Sequence, residues 1–142
     1  MTPSKQERLY ETKYAEELMR IATGDFKSAR VLAAASPQDV RIENAFYLCQ
    51  QAIEKALKSV LVANSIPVPL VHDLGSLLSR IPKNCEPPYG YELLELNQYA
   101  AIRRYEEGYW QPSPDELNVI LKKTEDMLNW AQPITASSVK TP

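Results

Sequence analysis

The stretch ENAFYLCQQAIEKALKSVLV, residues 43–62, decides the fold class. Its apolar residues Ala45, Leu48, Cys49, Ala52, Ile53, Ala56, Leu57, Val60 and Leu61 recur at steps of three and four, the spacing that paints one broad stripe along a helix. Upstream, Ser36-Pro37-Gln38-Asp39 supplies a capping serine, a proline for the first turn and an acid three residues after the serine. A long helix is therefore expected over roughly residues 38–63, and Pro67 and Pro69 prevent its continuation.

Working outward, residues 5–35 read as another long helix, with Ala15, Leu18, Ala22, Ala29 and Leu32 in one stripe. Gly24 costs about 1 kcal/mol of helix stability relative to alanine, yet the apolar phase is kept across it, so a continuous helix is expected. Asp25 falls inside the apolar stripe. Downstream, HDLGSLLSRI gives a short helix with Leu74, Leu77, Leu78 and Ile81 inward. YELLELNQYAAIRRY then brings Leu93, Leu96, Ala100 and one of two arginines toward one face. Ser113-Pro114-Asp115-Glu116 repeats the start signal. A last amphipathic helix follows, carrying Leu117, Ile120, Leu121, Leu128 and Ala131 and ended by Pro133.

No segment shows the strict alternation of a strand. The reading is an all-α, antiparallel up-and-down helical bundle of four long helices plus one short helix. It forms a single domain over residues 1–142, with its core at roughly 10–131 and a polar tail at 133–142. A chain of about 150 residues buries roughly 68–70% of its unfolded surface, enough for a core without disulfides or metal.

Composition narrows the function. A formal net charge of −2 leaves no global field for nucleic acid, so any phosphate site must be a local patch. Cys49 and Cys85 form neither a disulfide framework nor a zinc site. No metal or cofactor is expected, because a single histidine among scattered acids makes no ligand cluster. Apolar runs fall far short of about 18 residues, and the N-terminus has no apolar leader, so no membrane is involved and a cytoplasmic protein is expected.

FYLCQQAIEKALKSVL, then HDLGSLL, then AIRRYEE and a capped last helix, resembles the HEPN domain family over nearly the whole chain. The most specific element is Gln51-Ala52-Ile53-Glu54-Lys55-Ala56-Leu57-Lys58; His72-Asp73-Leu74 and Arg104-Tyr105 add weight by their order. The resemblance implies a homodimeric helical bundle that handles a nucleotide or RNA. It also implies a minimal nucleotidyltransferase partner, in the manner of a toxin and antitoxin pair. Gln51, Lys55 and Lys58, at i, i+4 and i+7, line one face of the helix opposite Ile53, Ala56 and Leu57. Periodicity alone makes that face a solvated one, with Glu54 and Lys58 as an i,i+4 ion pair; the resemblance makes it the border of a dimer cleft.

IRRYEEGYW, residues 102–110, bears on catalysis. Ribonucleases of the resembled family place a histidine four to six residues after an arginine, the cation stabilising the phosphorane and the imidazole moving protons. After Arg103 and Arg104 those positions hold Gly108, Tyr109, Trp110 and Gln111. His72, the sole histidine, lies in another segment. Arg104 matches the family arginine, and Arg103 points about 100° away on a helix. Tyr105, Tyr109 and Trp110 either stack on a base or pack across the bundle end, while Glu106 and Glu107 repel phosphate. The expected site is thus Arg104, Tyr105, Arg103, Lys55, Lys58 and Gln51, serving binding rather than cleavage. The alternative is a metal-independent endoribonuclease toxin whose base is not the usual histidine.

Overall fold

The computed structural model describes residues 6–70, 73–97 and 113–139. Over these residues the chain folds as a helical bundle. Helix α1 spans Tyr14–Ala34, α2 spans Glu43–Ala63, α3 is a short helix at Leu74–Leu78, and α4 spans Pro114–Val139. Two 3₁₀ segments, Lys83–Cys85 and Gly90–Leu96, lie between α3 and α4.

The central helix is α2. Ala45, Cys49, Ala52, Ile53, Ala56, Leu57, Val60 and Leu61 of the expected stripe are buried, as are Phe46 and Val62, while Leu48 is only partly covered. Helices α1 and α4 both pack along α2, and α3 also touches it. Burial therefore extends around α2 beyond its apolar stripe, and Gln50, Glu54 and Ser59 are also sealed from solvent.

The ends of the helices show where chain signals were outvoted. Ser36 and Pro37 do not start α2. The Asp39 N–H donates to the Ser36 carbonyl at 2.9 Å, and the Ser36 hydroxyl turns to Gln38, so the serine, proline and acid build a reversing turn. Helix α2 begins only at Glu43. Its C-terminus stops before Pro67: Ser65 adopts φ 57° and the Ile66 N–H returns to the Leu61 carbonyl at 2.9 Å, the left-handed closure that satisfies a carbonyl of the last turn. The second signal works as expected, with Ser113 Oγ accepting from the Glu116 N–H at 3.1 Å.

Three expectations are corrected. Helix α1 starts at Tyr14 rather than near residue 5, because strand β1, Glu7–Arg8, pairs antiparallel with β2, Val68–Pro69. Leu70 N–H adds a bond to the Gln6 carbonyl at 2.8 Å, and Glu7 pairs with Arg80. So two short strands exist where none was expected. Helix α4 also runs through Pro133 to Val139. The proline removes one N–H from the ladder, but Thr135 is buried and Ile134 packs on the second core cluster, so tertiary packing carries the helix onward. Gly24, by contrast, lies within an unbroken α1 as expected.

Of the segment expected to form the fourth long helix, the part up to Leu96 is 3₁₀ with Leu93 and Leu96 buried; Ala100 and the two arginines lie outside the described residues. Tyr89, at φ 70°, opens this segment and donates its hydroxyl to Asp126, while Trp130 Nε1 donates to the Cys85 carbonyl at 3.1 Å. These two bonds staple the loop to α4.

Asp73 caps α3, its carboxylate accepting from the Gly75 N–H at 3.1 Å, the Ser76 hydroxyl at 3.0 Å and the Asn97 amide at 3.1 Å. The Gly75 N–H first, then the Ser76 hydroxyl, hold its carboxyl below the usual carboxylate range. Asp73→Ala should lose about 1 kcal/mol of stability. A carboxylate depressed in the folded state contributes above its unfolded pKa and loses that contribution as pH falls through the folded value. The gap between wild type and variant, read by urea unfolding, should therefore be full at pH 7 and shrink progressively below about pH 4.

Candidate functional site

The polar side of α2 is built from Gln50, Gln51, Glu54, Lys55, Lys58 and Ser59. Lys55 Nζ lies 2.6 Å from Asp25 Oδ2 of α1, with both side chains about a fifth to a quarter exposed. Asp25, the polar residue in the apolar stripe of α1, thus faces α2 and meets a cation there. Lys58 Nζ lies 3.2 Å from Glu54 Oε2, the expected i,i+4 pair. Glu54 is only 2% exposed, so this pair is sunk into the bundle rather than set on a solvated face. Gln51 Nε2 donates to Gln50 Oε1 at 2.7 Å. Ser59 donates to the Ala56 carbonyl and receives the Thr135 hydroxyl at 3.3 Å, which ties the seam to α4.

Gln51, Lys55 and Lys58 do share one side of α2 and are half-buried. The sequence reading gave Lys58 its Glu54 partner but missed Asp25 as the partner of Lys55; with both lysines engaged by carboxylates, their charge is locally balanced. An anion binding there must share each ammonium with Asp25 or Glu54. The signal for Asp25 was its placement in the stripe, since a charge in a core-facing register is tolerated only when paired. Arg103, Arg104, Tyr105 and His72 lie outside the described residues. The Asp73 and Asn97 contacts nevertheless tie together the residues that immediately follow His72 and precede the arginine-bearing segment; the Leu74 N–H also donates to Asn97 Oδ1 at 3.1 Å.

Cysteine chemistry is disfavoured at α2. Cys49 is fully buried, and burial pushes its thiol up to about 11, so the nucleophilic thiolate is scarce at neutral pH. Among the described residues no group of three or more His, Cys, Asp or Glu is arranged to hold a metal ion. Among the same residues no helix is long and apolar enough to cross a membrane.

Comparison with solved structures places the chain beside TT1696 from Thermus thermophilus, whose crystal structure superposes with a TM-score of 0.71. The match has 19% sequence identity and covers 86% of this chain and 98% of that one, so it speaks for the fold. No curated protein matches the chain. The HEPN domain profile matches residues 15–134, from the first turn of α1 to the last turns of α4 and across the whole polar side of α2. The chain therefore belongs to the HEPN domain family.

Proposed function

We propose that this chain is a non-catalytic HEPN module that binds a nucleotide or RNA phosphate as a homodimer and works with a minimal nucleotidyltransferase, as in a toxin and antitoxin pair. The observation that carries the reading is the pairing of a basic segment with no proton-transfer partner. Arg103 and Arg104 are followed by Gly108, Tyr109, Trp110 and Gln111, and no histidine stands among them. Arg104, Tyr105 and Arg103 supply phosphate and stacking contacts in this reading, and Gln51, Lys55 and Lys58 supply further donors from α2. Tyrosine, with an ordinary pKa near 10, is a poor base at neutral pH.

Binding should fall with salt as counterions are released. Arg104→Ala and Lys55→Ala should each weaken binding of a short single-stranded RNA by about tenfold or more, the loss of one charge-assisted contact. Lys55→Ala also leaves Asp25 uncompensated beside the ligand. Fluorescence anisotropy reads this, with circular dichroism confirming the fold; equal affinity for all three proteins would remove the support for the site. Wild type should not cleave the same RNA. The endoribonuclease alternative requires cutting that both Arg104→Ala and His72→Ala abolish.

A further inference from the structure

A groove of about 520 Å³ runs between α1 and the end of α4, bordered by Glu16, Arg20, Thr23, Gly24 and Lys27 on one side and by Thr135 beyond Pro133 on the other. The α1 residues are spaced by four, three and four, so Glu16, Arg20, Thr23 and Lys27 form one seam along the helix. Glu16 and Lys27 stand at its two ends, about 16 Å apart along the axis. Among the described residues neither has an ion-pair partner in its own protomer.

The order of charge along this seam is self-complementary. If a second α1 is laid antiparallel across the first, with the two-fold axis at the level of Ile21 and Ala22, Glu16 meets the partner's Lys27. Arg20 then meets the partner's Thr23, and Lys27 meets the partner's Glu16. A face that matches its own reversed copy is what an isologous two-fold contact requires. Crossing at about 50°, a common angle for packed helices, carries the outer turns apart and keeps Lys13 from the partner's Arg30.

Gly24 supplies an independent observation. It sits mid-helix without a positive φ, and a Cβ placed on it would meet nothing within 4 Å. Nothing within the protomer thus compensates the helix stability that glycine forfeits. A bare backbone on a groove wall allows close approach by something from outside.

We infer that this groove is the face through which two copies of the chain dimerise, α1 packing antiparallel on α1 with the ends of α4 as flanking walls. The inference rests on the homodimer reading above and names its interface.

The test is sedimentation velocity on the full chain at micromolar concentration. Wild type should be a dimer. Glu16→Lys alone and Lys27→Glu alone each create two like-charge contacts across the axis and should raise the dimer Kd by about tenfold or more. The Glu16→Lys/Lys27→Glu double variant restores opposite charges and should return close to wild type. Gly24→Leu should give monomers, with helicity unchanged by circular dichroism because the site has open space. A wild-type dimer unaffected by any of these substitutions would overturn the α1 interface while leaving dimerisation intact. A wild-type monomer would overturn both.

Discussion

Phe46→Ala is expected to lower the stability of the fold by about 3–5 kcal/mol, the range for removing a buried phenyl ring from a core. Phe46 is 0% exposed and lies near the start of α2 in the larger core cluster, with residues from α1, α3, the 3₁₀ segment and α4 in the same cluster. Those elements hold one another in place, so the site cannot collapse fully around the missing ring. For a domain of this size the loss corresponds to a fall in Tm of roughly 10 °C or more. Thermal unfolding followed by circular dichroism measures it, with Val31→Ala as the control. Val31 is 70% exposed on α1 and should shift stability by no more than about 0.5 kcal/mol. Equal effects at the two positions would contradict the placement of α2 at the centre.

Lys58→Met has the next largest expected effect, about 2–3 kcal/mol. Truncating one member of a buried pair typically costs about 3–5 kcal/mol because the other charge remains in a poorly solvated site. Here Glu54 is nearly closed off and the Lys58 side chain is about a fifth exposed, which moves the value toward the lower end. The Glu54→Leu/Lys58→Met double variant should recover most of the loss, since apolar groups of similar volume often match or exceed a buried ion pair. Lys122→Met, which removes an exposed partner of Asp126 on α4, should change stability little. Urea unfolding of the four proteins gives the coupling directly. If Lys58→Met proved as neutral as Lys122→Met, the Lys58 ammonium would not be what holds the Glu54 carboxylate in the bundle.

The core was legible because α2 repeats its apolar residues for five turns and Ala15, Leu18, Ala22 and Ala29 echo the pattern on α1. The burial of Glu54 was not, because periodicity describes one helix and the covering comes from neighbouring helices. The two serine, proline and acid signals show the same limit. After Ser113 the side chain captures a backbone N–H and starts α4, while after Ser36 an equivalent sequence spends its bonds on a turn that reverses the chain between α1 and α2. Pro133 was read as a stop because the local rule is strong, and the burial of Thr135 against α2 outweighed it. For the site, the common side of Gln51, Lys55 and Lys58 follows from spacing alone. The carboxylate that holds Lys55 lies on another helix thirty positions away, beyond the reach of any local pattern.

The clip between β1 and β2 bears on the order in which the chain assembles and opens. Helices α1 and α2 are consecutive and joined by a short turn, so their pairing closes a small loop early. The clip instead joins segments roughly sixty positions apart around that finished hairpin, and its whole ladder is two residue pairs. On the β2 side Val68 is anchored in the central core, but β1 is held by few bonds. The amides of β1 should thus exchange through local opening of the clip, while those of α2 wait for the bundle as a whole to unfold.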